Sequence, residues 1–184
     1  MYSVKTKKKE KRSDIPTPLV LCKYLYDIIS PHYQPKIILD PCAGSGEDRG
    51  RLTKYFDCEK KEYEIKEGKD FFDETLNINC DLVLMNPPFN SGNGKTLICD
   101  LFLDKVYKLI SDKTIPIIMI CPFGFRLNQT KKSKRWKKLR DNFPPITTII
   151  SLPVDIFDGI LFHTEIICFN TDKMNSHYFL DITN

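Results

Sequence analysis

Lys36-Ile37-Ile38-Leu39-Asp40-Pro41-Cys42-Ala43-Gly44-Ser45-Gly46 is a short apolar run that ends on an acid and breaks into a tight, glycine-containing turn. An apolar run bounded by turn residues reads as a buried strand. Two glycines in the turn let backbone approach a ligand closely, as at the strand-to-helix turns of dinucleotide sites. The G-x-G-x-x-G spacing is nevertheless not met. A third glycine would fall at Arg49, and the actual one is Gly50. Asp40 at the mouth would repel a phosphate, so the turn suits a ligand carrying a cationic amino acid moiety better.

Ile15-Pro16-Thr17-Pro18 precedes the strand as an extended entry into a helix expected over Leu19 to Ile29, with Pro18 suited to a first helical turn. After the turn a helix is expected from Glu47 to Phe56, then a second strand from Glu62 to Ile65 and a third from Asp81 to Met85. A helix from Thr96 to Ile110, with apolar residues at helical spacing, and a strand from Ile115 to Cys121 follow. Thr147 to Leu152 and Ile166 to Phe169 read as late strands, and Tyr178 to Ile182 as an edge. Strands alternating with helices imply a mostly parallel α/β sheet covered on both faces. Ligands of such sheets sit at the carboxyl ends of the strands near the switch point. The loops after Asp40, Ile65 and Asn86 therefore stand to share one site.

Asn86-Pro87-Pro88-Phe89 directly follows a buried strand and is the most specific signal in the chain. Two prolines fix the backbone and remove two donors, leaving rigid carbonyls. The Asn86 side-chain oxygen and the Pro87 carbonyl can each accept a hydrogen from one NH2 group. Such contacts favour positive charge developing on that nitrogen, and Phe89 offers a flat face to a base. Glu64, at the end of the second predicted strand, is placed to accept hydrogen bonds from ribose hydroxyls, with Glu62 the alternative if the register shifts. In Gly68-Lys69-Asp70-Phe71-Phe72 a carboxylate precedes two aromatics, a pattern that can hold an adenine ring or simply fill the core.

These residues together resemble the class I, Rossmann-like S-adenosylmethionine-dependent amino-methyltransferases, and in particular their N6-adenine branch. Asp40 to Gly46 is similar to the family's donor motif, D/E-P-x-x-G-x-G, and Asn86 to Phe89 to its catalytic motif, N/D-P-P-Y/F/W. Thr17-Pro18 resembles the N-terminal motif that contacts the donor's methionine part. The resemblance spans about Ile15 to Asn170, and the motif order is that of the gamma-type adenine enzymes. It implies S-adenosylmethionine as cofactor, with Thr17, Asp40, Pro41, Ala43, Gly44, Gly46, Glu64 and Asp70 as its contacts. It implies Asn86, Pro87, Pro88 and Phe89 as the catalytic residues, and adenine N6 in DNA or RNA as the target. Asp40 and Asn86 are only 46 positions apart, so the second helix and third strand of the Rossmann unit are expected to be abbreviated or missing. Methylation of a protein glutamine, and a catalytically inactive nucleic-acid-binding relative of the fold, are the rival readings.

Lys131, Lys132, Lys134, Arg135, Lys137, Lys138 and Arg140 surround Trp136 in a chain whose net charge is only +4. Clustered cations bind phosphates and Trp136 can stack a base; the alternative is a solvated helix face with Trp136 packed inward. The partner expected is a nucleic acid, DNA favoured over RNA, with a protein partner to supply target recognition. Residues 1–14 read as a basic, disordered tail and 15–184 as one methyltransferase domain. The seven cysteines are widely spaced and form no C-x-x-C pair, and the three histidines are scattered, so no metal site is expected. Ser91 to Thr96 resembles half of a phosphate loop but lacks the first glycine, which would fall at Phe89. No apolar run is long enough for a bilayer, and no signal core follows the basic start. The expected location is intracellular, cytoplasmic, or nuclear if the source is eukaryotic or viral.

Overall fold

A computed structural model describes residues 15–44, 50–89, 97–127, 129–159 and 162–181. Helix α1 (Leu19–Ile29) leads into β1 (Ile37–Asp40); β2 (Glu59–Glu62), β3 (Leu82–Met85), α2 (Ile98–Leu109) and β4 (Ile117–Pro122) follow. The chain ends with α3 (Gly124–Leu127), α4 (Lys134–Asp141), β5 (Ile146–Ser151), β6 (Thr164–Phe169) and β7 (His177–Phe179). The seven strands form one sheet in the order β2-β1-β3-β4-β6-β5-β7. β6 runs antiparallel to β4 and β5, and every other neighbouring pair is parallel.

Alternate residues of the central strands feed two cores, as a sheet covered on both faces requires. Leu39, Val83, Met85, Ile117, Met119 and Cys121 face α2, where Phe102, Leu103 and Val106 are buried. Ile38, Leu82, Leu84, Ile118 and Ile120 face α1, where Leu21, Leu25 and Ile29 are buried. Each such side chain contributes roughly 1.5–3 kcal/mol of apolar burial, before the entropy of ordering it. Five of the cysteines, Cys22, Cys80, Cys99, Cys121 and Cys168, are buried among these residues as small apolar groups. None of the helices among the described residues is long and apolar enough to cross a membrane.

Two expected elements differ. Residues 50–56 form turns rather than the end of a helix. Gly50 has φ +69°, and a Cβ on it would lie 2.0 Å from the Thr17 carbonyl oxygen, so the chain is pressed against the Thr17 segment there instead of coiling. Of the expected helix Glu47 to Phe56, residues 47–49 lie outside the described residues, as do Ser45, Gly46, Ser91 to Thr96 and the 1–14 tail. The second strand is Glu59–Glu62 rather than Glu62–Ile65. Glu-Lys-Lys-Glu carries no apolar periodicity, because this edge strand pairs with β1 through its backbone and leaves its side chains exposed or half-buried. Between β2 and β3 the chain has only two single-turn 3-10 helices, Ile65–Glu67 and Phe71–Asp73, and an isolated bridge from Ile78 to Ile110. The helix and strand that usually follow the second strand of a Rossmann unit are absent from residues 63–81, as the short motif spacing predicts.

Candidate active site

The switch point of the sheet lies between β1 and β3, since the chain steps from β1 to β2 on one side and returns to β3 on the other. The loops leaving Asp40 and Met85 therefore flank one crevice. A cavity of about 300 Å³ opens there. Its wall holds Thr17, the Pro41–Gly44 turn, Glu64, Asp70, Asn86 and Pro88, and its apolar parts come from Ile15, Phe71 and Phe102. Residues from all three loops singled out in the sequence thus line one space.

Asn86 stands at the end of β3, and its position is fixed from outside the strand. Its Nδ2 donates to Thr17 Oγ1 at 2.9 Å. Thr17 is buried, held in place by Gly50 and followed by Pro18, which fixes φ at −58° just before α1. With the amide nitrogen committed to Thr17, Asn86 Oδ1 is left buried and without a hydrogen-bond partner among the described residues. A buried acceptor with no partner carries a desolvation cost of about 1–3 kcal/mol. Asn86 itself stands in the cavity wall, and an NH2 donor that reached Oδ1 would recover that cost. Pro88 lines the cavity beside it. Pro87 is buried and Phe89 half-buried behind the wall, with the Phe89 ring edge-on to Phe157 at 5.3 Å and to Phe162 at 5.8 Å.

Asp40 is fully buried beneath the turn rather than in the cavity wall. Its Oδ1 accepts from the Cys42 N–H at 3.0 Å, which shapes the Pro41–Gly44 loop. Burial pushes its carboxyl up to about 7, opposed by the Cys42 N–H and reinforced by nearby Glu62. Cys42 does line the cavity, but burial holds its thiol well above the ordinary range, so it is neutral and not a nucleophile. Backbone bonds from Tyr63 N–H to the Asp40 carbonyl and from Ala43 N–H to the Tyr63 carbonyl, both 3.0 Å, stitch the turn to the loop after β2.

That loop presents two carboxylates by the same device. Glu64 caps the first 3-10 turn, Oε1 accepting from Lys66 N–H at 3.0 Å, and Asp70 caps the second, Oδ1 accepting from Phe72 N–H at 2.8 Å. Each cap uses one oxygen for the backbone. Glu62, the alternative to Glu64, is consumed instead by Arg51 at 2.5 Å and by the Thr53 hydroxyl. Phe71 is buried against Tyr63 and stacked on Phe102, with centroids 5.1 and 6.1 Å away, so it forms the floor below Asp70. Sequence reading missed Gly50, Tyr63, Lys69 and Phe102 as site residues. Gly50 was visible as a misplaced third glycine; Phe102 sits within an ordinary helical repeat and gave no signal.

At the neighbouring strand ends, Glu165 is buried and accepts from Arg126 Nε and Nη2 at 3.2 and 2.9 Å, while His163 lies beside the Phe123 ring. Among the described residues no group of His, Cys, Asp and Glu is arranged to hold a metal. In the basic segment, Arg135 and Lys138 turn toward Asp100 of α2, whereas Lys131, Lys132, Lys134, Trp136 and Lys137 are exposed.

The architecture is that of the Rossmann-like class I methyltransferases. A putative class I S-adenosylmethionine-dependent methyltransferase from Listeria monocytogenes superposes with a TM-score of 0.67 at 16% identity, over 90% of this chain and 65% of its own. The modification subunit of a putative type I restriction enzyme from Vibrio vulnificus gives 0.65 at 15% identity, over 98% and 51%. The methyltransferase subunit of a type I restriction-modification system from Streptococcus thermophilus gives 0.59 at 20%, over 91% and 47%. The chain thus spans about half to two thirds of the length of these neighbours. No protein-family model and no curated protein sequence matches it.

Proposed function

We propose that this chain transfers a methyl group from S-adenosylmethionine to the exocyclic amino nitrogen of a nucleic-acid base, with adenine N6 as the target. The observation that carries the reading is the buried, unpartnered Oδ1 of Asn86 in the wall of the cavity. The residues present fit an adenosyl donor. Glu64 would hold the ribose hydroxyls, and Asp70 the adenine amino group over the Phe71 floor. The Pro41–Gly44 turn, with Gly46, would follow the methionine part, and Asp40 would act by shaping that turn. Bound there, the donor supplies an electrophilic methyl group on a sulfonium.

Asn86 does the positioning. Thr17 fixes its amide so that Oδ1 accepts a hydrogen from the target NH2. Oriented by that bond, the nitrogen would present its lone pair to the donor, and the positive charge growing on it would be stabilised. The nitrogen would bond to the methyl carbon as the carbon–sulfur bond breaks, releasing S-adenosylhomocysteine as a neutral thioether, and the methylated nitrogen would then lose its extra proton to solvent water, so no acid, base or nucleophilic side chain is required at the transfer step. Phe89, braced by Phe157 and Phe162, would offer its free face to the base. The modification subunits among the structural neighbours are consistent with DNA and with a partner subunit supplying recognition. Incubation with labelled S-adenosylmethionine and DNA, RNA or protein, followed by nucleoside and amino acid analysis, tests this. N6-methyladenine supports the reading; label on protein glutamine alone, or none together with no calorimetric binding of the donor, refutes it.

A further inference from the structure

Helix α4 divides its charges between two faces. Its inner face is a clamp. Arg135 Nε lies 3.7 Å from Asp100 Oδ2, Lys138 Nζ lies 3.7 Å from Asp100 Oδ1, and Lys138 also pairs with Asp104. Arg135 further donates to the Phe125 carbonyl at 3.2 Å and lies over the Phe125 ring, which ties α4 to α3. Leu139 packs on the core beneath α2. The Ser133 hydroxyl caps the helix by accepting from Trp136 N–H. Two of the basic residues are thus spent on holding the helix still.

The outer face is built differently. Lys134 and Lys137 of the helix, with Lys131 and Lys132 in the turn just before it, are exposed, and none has an ion-pair partner among the described residues. Trp136 stands among them with 43% of its surface in solvent. An indole left half in water costs burial that an inward turn would have gained. The helix is pinned on its other side, so that face cannot roll inward. α4 is tied through Arg135 to α3. α3 follows the carboxyl end of β4, and β4 lies beside β3, which carries Asn86.

We infer that this outer face of α4, with the turn before it, binds single-stranded nucleic acid, the four lysines on phosphates and Trp136 stacked on an unpaired base. The polyanion being a nucleic acid rests on the methyl-transfer reading above; its being single-stranded rests on the indole. Cations alone bind any backbone. A π-face set among them is useful only to a base whose own face is free, and in a duplex the base faces are already stacked on each other.

Trp136 is the only tryptophan in the chain, so its fluorescence reports this contact alone. Titration with an adenine-containing single-stranded oligonucleotide is expected to quench it, and the matching duplex to leave it nearly unchanged. With a dye-labelled oligonucleotide read by anisotropy, Trp136→Ala should weaken single-strand binding at least about fivefold. Trp136→Phe, which keeps a smaller ring and controls for folding, should fall between. Lys134→Gln with Lys137→Gln should weaken both forms and make the logarithmic salt dependence shallower by about 1.4 for the single strand. Equal quenching by duplex, or unchanged single-strand affinity in both Trp136 variants, overturns the inference. Binding needs no donor, so the two readings separate. Quenching without methyl transfer sustains this surface and removes the catalytic reading; transfer without quenching does the reverse.

Discussion

Thr17 and Asn86 are 69 residues apart in sequence and joined by one 2.9 Å hydrogen bond. That bond decides which end of the Asn86 amide faces a substrate: with the nitrogen committed, only the oxygen remains as an acceptor. Thr17→Val keeps the shape and removes the acceptor, freeing the amide to turn over. It should lower kcat at saturating donor about tenfold or more, which steady-state kinetics would expose. Asp40 carries a different prediction. Its folded pKa, about 7, is raised above the ordinary 3.8 by burial first and by Glu62. Ionising it opposes folding, so its stabilising contribution is complete below about 3.8 and is lost as pH rises to about 7. The slope reaches at most about 1.4 kcal/mol per pH unit. Asp40→Asn keeps an oxygen for the Cys42 N–H without the charge, and its denaturant-derived stability should be flatter across that window. An identical pH profile would contradict this.

At the scale of the elements, the donor side is a set of short turns held by cross-ties rather than by regular structure. Arg51 is the principal tie. Its guanidinium bridges Glu62 at the end of β2 and Glu67 in the following 3-10 turn, so it straddles Glu64. Arg51→Met should raise the donor dissociation constant about tenfold with kcat at saturating donor little changed, and Arg51→Lys should recover part of the loss. Gly50, one residue earlier, is the second tie. Gly50→Ala must tolerate a left-handed alanine, at about 1–2 kcal/mol, and also push back the Thr17 backbone 2.0 Å from the new Cβ. Lowered melting temperature together with lost donor binding is expected. These ties explain what sequence patterning does not reach. The central strands and α1 were legible because apolar periodicity records burial. β2 was displaced because a charged edge strand records none, and the helix expected up to Phe56 fails because Gly50 answers to a contact with Thr17, distant in sequence.

For the whole molecule, two motifs were enough to place a crevice between β1 and β3, because a parallel sheet with a switch point brings the loops after its central strands together whatever else the chain does. The short spacing from Asp40 to Asn86 was equally readable as a trimmed Rossmann half, and residues 63–81 carry two single turns in its place. Sequence could not show that Glu62 is consumed by Arg51 and Thr53, or that Arg135 and Lys138 are a clamp rather than a free surface; both depend on partners from other elements. The proposed transfer turns on one atom, Asn86 Oδ1. The most direct measurement is single-turnover transfer of labelled methyl from S-adenosylmethionine to an adenine-containing oligonucleotide, by the natural chain and by Asn86→Ala, with donor affinity measured on both. N6-methyladenine is expected from the natural chain, with a fall of at least about 100-fold in the variant and donor binding within a few-fold. Equal rates from the two proteins would contradict it.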